Sequence, residues 1–365
     1  MELNERQKEA VESRDQYNLL LAGAGSGKTK TLISRIVHLI KNECIDPYNI
    51  LAVTFTNKAA NEMKERVNSQ LKLKTGVTIK TFHSFGAYIL RSYGFVVGRD
   101  KNFQIYDDND SDKIIAKILK KFEVDKKQLG SVKRWISKYK QTLEDYTKMD
   151  YQDPVYLKIY DEYNEALKEQ NCFDFEDLIV EPVKILNNQK EIRERYQNRY
   201  TDILIDEYQD TNYSQYMLVK LLCGDETRLM VVGDEDQSIY KFRGADVGII
   251  LSFQNDFKDS RIVRLEQNYR STGNILSLAN NVIQNNTNRL GKNLFTKDGD
   301  GNKVVLFDNF DNEAEARRII GFIKDQNLNY GETVILYRTN SQSRIFEVQF
   351  TAFDIPYQVV GSMAF

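Results

Sequence analysis

A chain of 365 residues, 41% hydrophobic and 28% charged, has the make-up of a globular protein with room for two or three cores. Its formal net charge of -2 excludes a wholly basic nucleic-acid coat protein, though not a local basic groove. Three cysteines far apart (Cys44, Cys172, Cys223) and only two histidines exclude histidine-rich metal chemistry and argue against a zinc site or disulfide framework. They point to a reducing, cytoplasmic setting. No apolar run has the length of a membrane span and the first residues do not read as a signal peptide, so no membrane partner is expected.

From the N-terminus to residue 85, short apolar runs alternate with helical periodicity. Runs at 19–21 and 50–55 have strand length, and helical patterns follow at 29–40 and 57–71. This alternation predicts a parallel sheet with helices on its faces. From 86 to 197 the pattern is mostly helical, and strands resume at 203–205, 229–232 and 262–265. The expected fold class is α/β: one sheet domain built from 1–85 and 198–280, interrupted by a helical insert at 86–197. A second α/β segment at 281–365 carries strand patterns at 304–307, 334–337 and near 357–360 around a helix at 313–323; it is thin for a complete doubly wound domain.

The first strand runs into Ala22-Gly23-Ala24-Gly25-Ser26-Gly27-Lys28-Thr29. A glycine-rich backbone can curl around phosphates, and the helix that starts there aims the positive end of its dipole at the same place. Lys28 has the reach for the outer phosphates, and the Thr29 hydroxyl suits magnesium. Ala22 stands where the strict pattern has glycine. A plain strand–turn–helix with a flexible turn is the alternative. The other half of a triphosphate site is Asp206-Glu207, delivered by strand 203–205 to the carboxyl end of the sheet, where such folds bind ligands. Asp206 would hold magnesium; Glu207 would orient and deprotonate the attacking water. The alternative is a solvated strand end. The two stretches make one site only if Lys28 comes within reach of Asp206 and Glu207.

Asp206-Glu207-Tyr208-Gln209-Asp210-Thr211 resembles the second motif of superfamily 1 helicases of the UvrD, PcrA and Rep family. Further blocks follow in that family's order: Thr54-Phe55-Thr56-Asn57-Lys58-Ala59-Ala60, Thr81-Phe82-His83-Ser84, Gly233-Asp234-Glu235-Asp236-Gln237-Ser238-Ile239-Tyr240, Phe242-Arg243-Gly244-Ala245, Gln267-Asn268-Tyr269-Arg270-Ser271 and Val334-Ile335-Leu336-Tyr337-Arg338-Thr339-Asn340. The resemblance covers essentially the whole chain. It implies a RecA-like P-loop domain with a helical insert and a partial second RecA-like domain, with ATP and Mg2+ as cofactors.

By this resemblance the catalytic set is Lys28, Asp206, Glu207, Gln237 and Arg270. Gln237 would sense the terminal phosphate, and Arg270 would neutralise charge developing on it, a task suited to a guanidinium that stays charged. Tyr269 would stack on adenine and Gln7 would read its edge, while the Asn4–Gln7 spacing is also that of a helix capping box; both readings stay open. Residues 22–29 would cradle the nucleotide. Phe55, Thr56, Asn57, Lys58, His83, Phe242 and Arg243 would follow single-stranded DNA, with flat rings binding any base through its face. The mixed run at 133–140 fits a duplex contact or a solvated helix face with one buried Trp, and is not placed among the sites.

The expected partners are single-stranded DNA and single/double-strand junctions, and the expected state a monomer or weak dimer. The implied function is an ATP-dependent helicase motor, moving 3′ to 5′ on single strands in repair or replication. The alternatives are the motor part of a helicase–nuclease and a nucleotide-gated DNA-binding module that never unwinds. The family's last two motifs fall beyond Phe365, and 359–365 resembles the point before its large second-domain insertion. An N-terminal portion of a longer helicase is therefore expected, one that binds ATP·Mg2+ but hydrolyses it weakly and unwinds little or nothing.

Overall fold

The computed structural model describes residues 2–360, apart from the side chain of Arg243, so the sequence block at 361–365 lies outside the described residues. Contacts divide the chain into two compact units, before and after the Gly301–Asn302 bond.

In chain order the first unit opens with α1 (Glu5–Glu12), β1 (Tyr17–Ala22), α2 (Lys28–Lys41), β2 (Ile50–Thr54), α3 (Asn57–Leu71), β3 (Thr78–Thr81) and α4 (Phe82–Tyr93). The helical stretch contributes β4 (Gln104–Ile105), α5 (Asp108–Lys121), α6 (Leu129–Gln141), α7 (Pro154–Glu169), β5 (Cys172–Phe173), α8 (Asp177–Asn188) and α9 (Lys190–Arg199). The chain then returns through β6 (Asp202–Ile205), α10 (Tyr213–Leu222), β7 (Arg228–Gly233), α11 (Val247–Leu251), α12 (Phe253–Asp256), β8 (Arg261–Leu265) and α13 (Gly273–Ile283). Six strands form one parallel sheet in the order β3-β2-β6-β7-β1-β8.

The strands read as near-continuous apolar runs because helices cover both faces. Successive residues of β1 serve opposite sides: Leu19 joins a core with Phe82, Phe85, Ile203 and Leu218, and Leu20 joins one with Leu32, Ile36, Met63 and Val67. Thr56, two residues past β2, and Thr81, at the end of β3, cap the following helices through bonds from Ala59 and Ser84 amides. Every strand of the sheet therefore delivers its carboxyl end to the same edge.

Within the helical stretch, α5, α6 and α7 enclose their own core around Ile115, Val132, Trp135, Ile159 and Tyr163. By contrast, Ile179, Val183 and Tyr196 of α8 and α9 pack on the sheet. In the 133–140 run, Trp135 is buried and donates to the Tyr151 carbonyl. Lys133 pairs with Asp108 and Asp112, and Lys140 is held by Asp174 and Asp177 at 2.8 and 2.6 Å. These cations of the run are spent inside the insert.

The second unit packs α14 (Asn312–Asp325) on α15 (Ser343–Ala352) through Ala316, Ile320, Phe346 and Phe350. The strands expected at 304–307, 334–337 and 357–360 do not form among the described residues. The apolar side chains of a strand are there, but a strand needs a neighbour to satisfy its N–H and C=O groups, and none among the described residues pairs with these segments. Val334 and Leu336 accordingly stand 77% and 90% exposed. The sheet strand β3 was the converse case: Thr78-Ile79-Lys80-Thr81 has little apolar signal and is recruited by pairing with β2.

Candidate nucleotide and nucleic-acid site

The loop after β1 turns on two left-handed glycines, Gly25 (φ 68°) and Gly27 (φ 84°). A Cβ at Gly25 would meet Asn268 Nδ2 at 2.6 Å, and one at Gly27 would meet Gln7 Nε2 at 2.7 Å, so side chains are excluded by space as well as by backbone. Three successive loop carbonyls are tied off from outside. Asn268 Nδ2 donates to Ala24 O at 2.6 Å, the Tyr269 amide to Gly25 O at 3.0 Å, and Gln7 Nε2 to Ser26 O at 2.9 Å. With its carbonyls turned to these partners and no side-chain cap on α2, the loop keeps the first-turn amides of the helix for an anion. Ser26 is fully buried and locks the turn by donating to Gly23 O at 2.7 Å.

Lys28 follows the loop with its side chain 12% exposed, and its Nζ lies 3.0 Å from Glu207 Oε2, 179 residues away in sequence. The convergence on which a triphosphate site depends is thus present. Glu207 adopts left-handed backbone (φ 52°, ψ 43°), a conformation costing a non-glycine residue roughly 1–3 kcal/mol, which puts its carboxylate beside Lys28. Its amide donates to Asp206 Oδ1 at 3.0 Å. Burial, and then the neighbouring Glu207 charge, push the Asp206 acid up to about 6; the same two causes push Asp210 to about 6. Lys28 pulls both the other way without matching the acids. The Asp206 carboxylate and the Thr29 hydroxyl, half-buried at the start of α2, are hard oxygen donors of the kind that could hold magnesium.

Gln209, unassigned by the sequence reading, bridges two motifs. Its Nε2 donates to Glu207 Oε2 at 2.9 Å, and its Oε1 accepts the Asp234 amide at 3.0 Å. Gln237 Nε2 in turn donates to Asp234 Oδ2 at 2.5 Å. Asn268, also unassigned, accepts the amides of Arg270 and Ser271, both at 2.7 Å, while its other end holds Ala24; it sets where the exposed Arg270 departs from the loop. A buried amide inside a chemical motif is the signal that would have found both.

Gln7 is 1% exposed and doubly engaged: Oε1 accepts the Asn4 amide at 3.0 Å and Nε2 holds Ser26. The capping box is formed. The half-buried Tyr269 accepts a bond from Asn4 Nδ2 at 2.8 Å.

On the same edge, the N-termini of α3 and α4 lie together, linked by Ser84 Oγ to Asn57 Oδ1 at 3.5 Å. Phe55 is half-buried and meets Phe82 edge-on at 6.1 Å; Thr56 spends its hydroxyl on the α3 cap; Lys58 is exposed. His83 lies 4.6 Å from the exposed ring of Phe175, an aromatic the sequence reading passed over. Burial pushes the His83 imidazole down to about 4, so at neutral pH it carries no charge toward a phosphate. Phe242 is 76% exposed beside Tyr240 at 6.0 Å. The Arg243 side chain lies outside the described residues, and its neighbour Gly244 sits so close to Gln141 of α6 that a Cβ would fall 2.0 Å from Oε1.

Residues 3–258 match the UvrD/REP helicase N-terminal domain family and residues 263–365 the UvrD-like helicase C-terminal domain family. The chain belongs to the UvrD/REP family of superfamily 1 helicases. It is 41% identical over 373 residues to DNA helicase II of Escherichia coli K12, matched over 100% of this chain and 52% of that relative. It is 40% identical over 374 residues to the ATP-dependent DNA helicase PcrA of Staphylococcus aureus Mu50, over 100% of this chain and 51% of that protein. The chain spans about half the length of the curated relatives it matches. The six-stranded parallel sheet with its helical insert is the RecA-like arrangement of that family. No helix among the described residues is long and apolar enough to cross a membrane.

Proposed function

We propose that this chain is the ATP-driven motor portion of a DNA helicase, coupling hydrolysis to 3′-to-5′ movement on single-stranded DNA and to strand separation at junctions during repair or replication. In this reading 1–85 and 198–280 form the motor domain, 86–197 the insert, and 281–365 belong to a second motor domain. The observation that carries it is the 3.0 Å approach of Lys28 to Glu207, with Asp206 beside them. Lys28 exchanges Glu207 for phosphate oxygens, and the released carboxylate takes a proton from the attacking water. Thr29 and Asp206 would hold magnesium, which neutralises phosphate charge when bound. Arg270 and Gln237 face the terminal phosphate, and Tyr269 the base. Phe55, Thr56, Asn57, Lys58, His83, Phe242 and Arg243, with Phe175, bind the single strand by stacking and phosphate contacts.

ATP hydrolysis measured with and without single-stranded DNA tests this. The parent chain should be stimulated by DNA. Lys28→Ala should lose nucleotide binding. Glu207→Gln should keep binding and lose about 10²–10⁴ in turnover. Parental turnover in Glu207→Gln removes the assigned base, and nucleotide-dependent DNA affinity without any hydrolysis replaces the motor with a gated binding module.

A further inference from the structure

Asp234, Glu235 and Asp236 bring three carboxylates within 4.8 Å of one another, a spacing that suits a divalent cation. The place is taken by a side chain. Lys292, beyond α13, is 7% exposed and puts its Nζ 2.6 Å from Asp234 Oδ1, 3.0 Å from Glu235 Oε2 and 2.7 Å from Asp236 Oδ2. Arg289 adds a two-pronged grip on Asp236, at 2.9 and 2.6 Å. Burial by itself would lower the Lys292 ammonium, but Asp234 and its neighbours outweigh that and hold it raised, so it stays charged.

Asp234 is also the residue that holds Gln237, through its second oxygen, and its amide binds Gln209, which binds Glu207. We propose that Lys292 is a positioning residue for Gln237: its ammonium fixes the Asp234 carboxylate, and with it the angle at which the Gln237 amide faces the nucleotide. The inference rests on the reading of Gln237 as a phosphate-facing group. Without Lys292, Arg289 still holds Asp236, but Asp234 and Glu235 lose their cation and repel each other and Asp236, and Asp234 would turn toward water and release Gln237. The stretch from Asn268 to Lys292 is pinned at one end to the phosphate loop and at the other to Asp234. Lys292 therefore closes a frame that carries both Arg270 and Gln237.

The test compares the parent chain with Lys292→Met, Lys292→Arg, Glu235→Gln and the double variant Lys292→Met/Glu235→Gln. The double variant removes one buried acid together with the ammonium, in case Lys292→Met alone does not fold. The first readout needs no turnover: the side-chain amide resonance of Gln237, assigned by its disappearance in Gln237→Ala. It should move to the position of a solvated glutamine in the Met variants and stay near the parental position in Lys292→Arg. The second is ATP turnover, where kcat should fall about tenfold to a hundredfold with KM within about threefold. A folded double variant with the Gln237 resonance unmoved, or with the kcat of Glu235→Gln alone, overturns the proposal and leaves Lys292 a purely structural clamp. A parent that does not hydrolyse ATP counts against the motor reading instead, and the resonance still decides the role of Lys292.

Discussion

The two ends of the sheet handle buried charge in opposite ways. At the amino end, Arg228 at the start of β7 joins Asp202 at the start of β6 (2.7 Å) and Glu43, and Glu43 also meets Arg35 at 3.0 Å. Two arginines face two acids. Burial would raise Glu43, but Arg228 and Arg35 bring it below the ordinary carboxylate range. At the carboxyl end, Lys28 is the cation that faces Asp206, Glu207 and Asp210 among the described residues, and two of those acids are pushed to about 6. A matched network holds the fold together. An unmatched one stores a demand for positive charge, which in the proposed function a metal–nucleotide complex would meet.

Three measurements press on that contrast. The largest effect is expected at the matched end. Arg228→Met strips Asp202 and Glu43 of their shared cation and should cost about 3 kcal/mol in urea unfolding, with ATP binding to the folded fraction unchanged. A loss below about 0.5 kcal/mol would show that the amino-end network holds little. At the unmatched end the sign reverses. A raised acid favours the folded state when protonated, so Asp206 costs nothing below its ordinary value near 3.8 and its full penalty above about 6. In magnesium-free buffer at pH 7.5, Asp206→Asn should therefore be more stable than the parent by about 2–3 kcal/mol, and the gain should vanish by pH 4. Equal stability at both pH values would remove the claim of stored charge. The smallest effect is on DNA: Phe242→Ala should weaken single-strand affinity by about 1–3 kcal/mol if a base stacks there, with melting unchanged. Unchanged affinity would take Phe242 out of the track.

Much of the fold could be read from local pattern. The helix expected at 57–71 is α3 to the residue, and 203–205, 229–232 and 262–265 lie inside β6, β7 and β8. These segments are long, periodic and flanked by turn chemistry. The misses have one cause. Strand β3 and the unpaired runs at 304–307 and 334–337 depend on whether a neighbouring strand is present, and a segment's own side chains do not encode that. Gln209, Asn268 and Lys292 were missed because a buried amide or ammonium matters through partners remote in sequence.

Chain order alone determined the glycine-rich loop, the Asp206-Glu207 pair after its apolar strand and the parallel α/β alternation, because backbone freedom, helix dipoles and hydrophobic period act over a few residues. Only the tertiary structure decided which charge answers which: Lys28 with Glu207, Lys292 with Asp234, and Gln7 folded into its own cap and the loop. Electrostatic and hydrogen-bond energies depend on distances of a few ångströms, and across 179 residues those distances are set by the packing of the sheet.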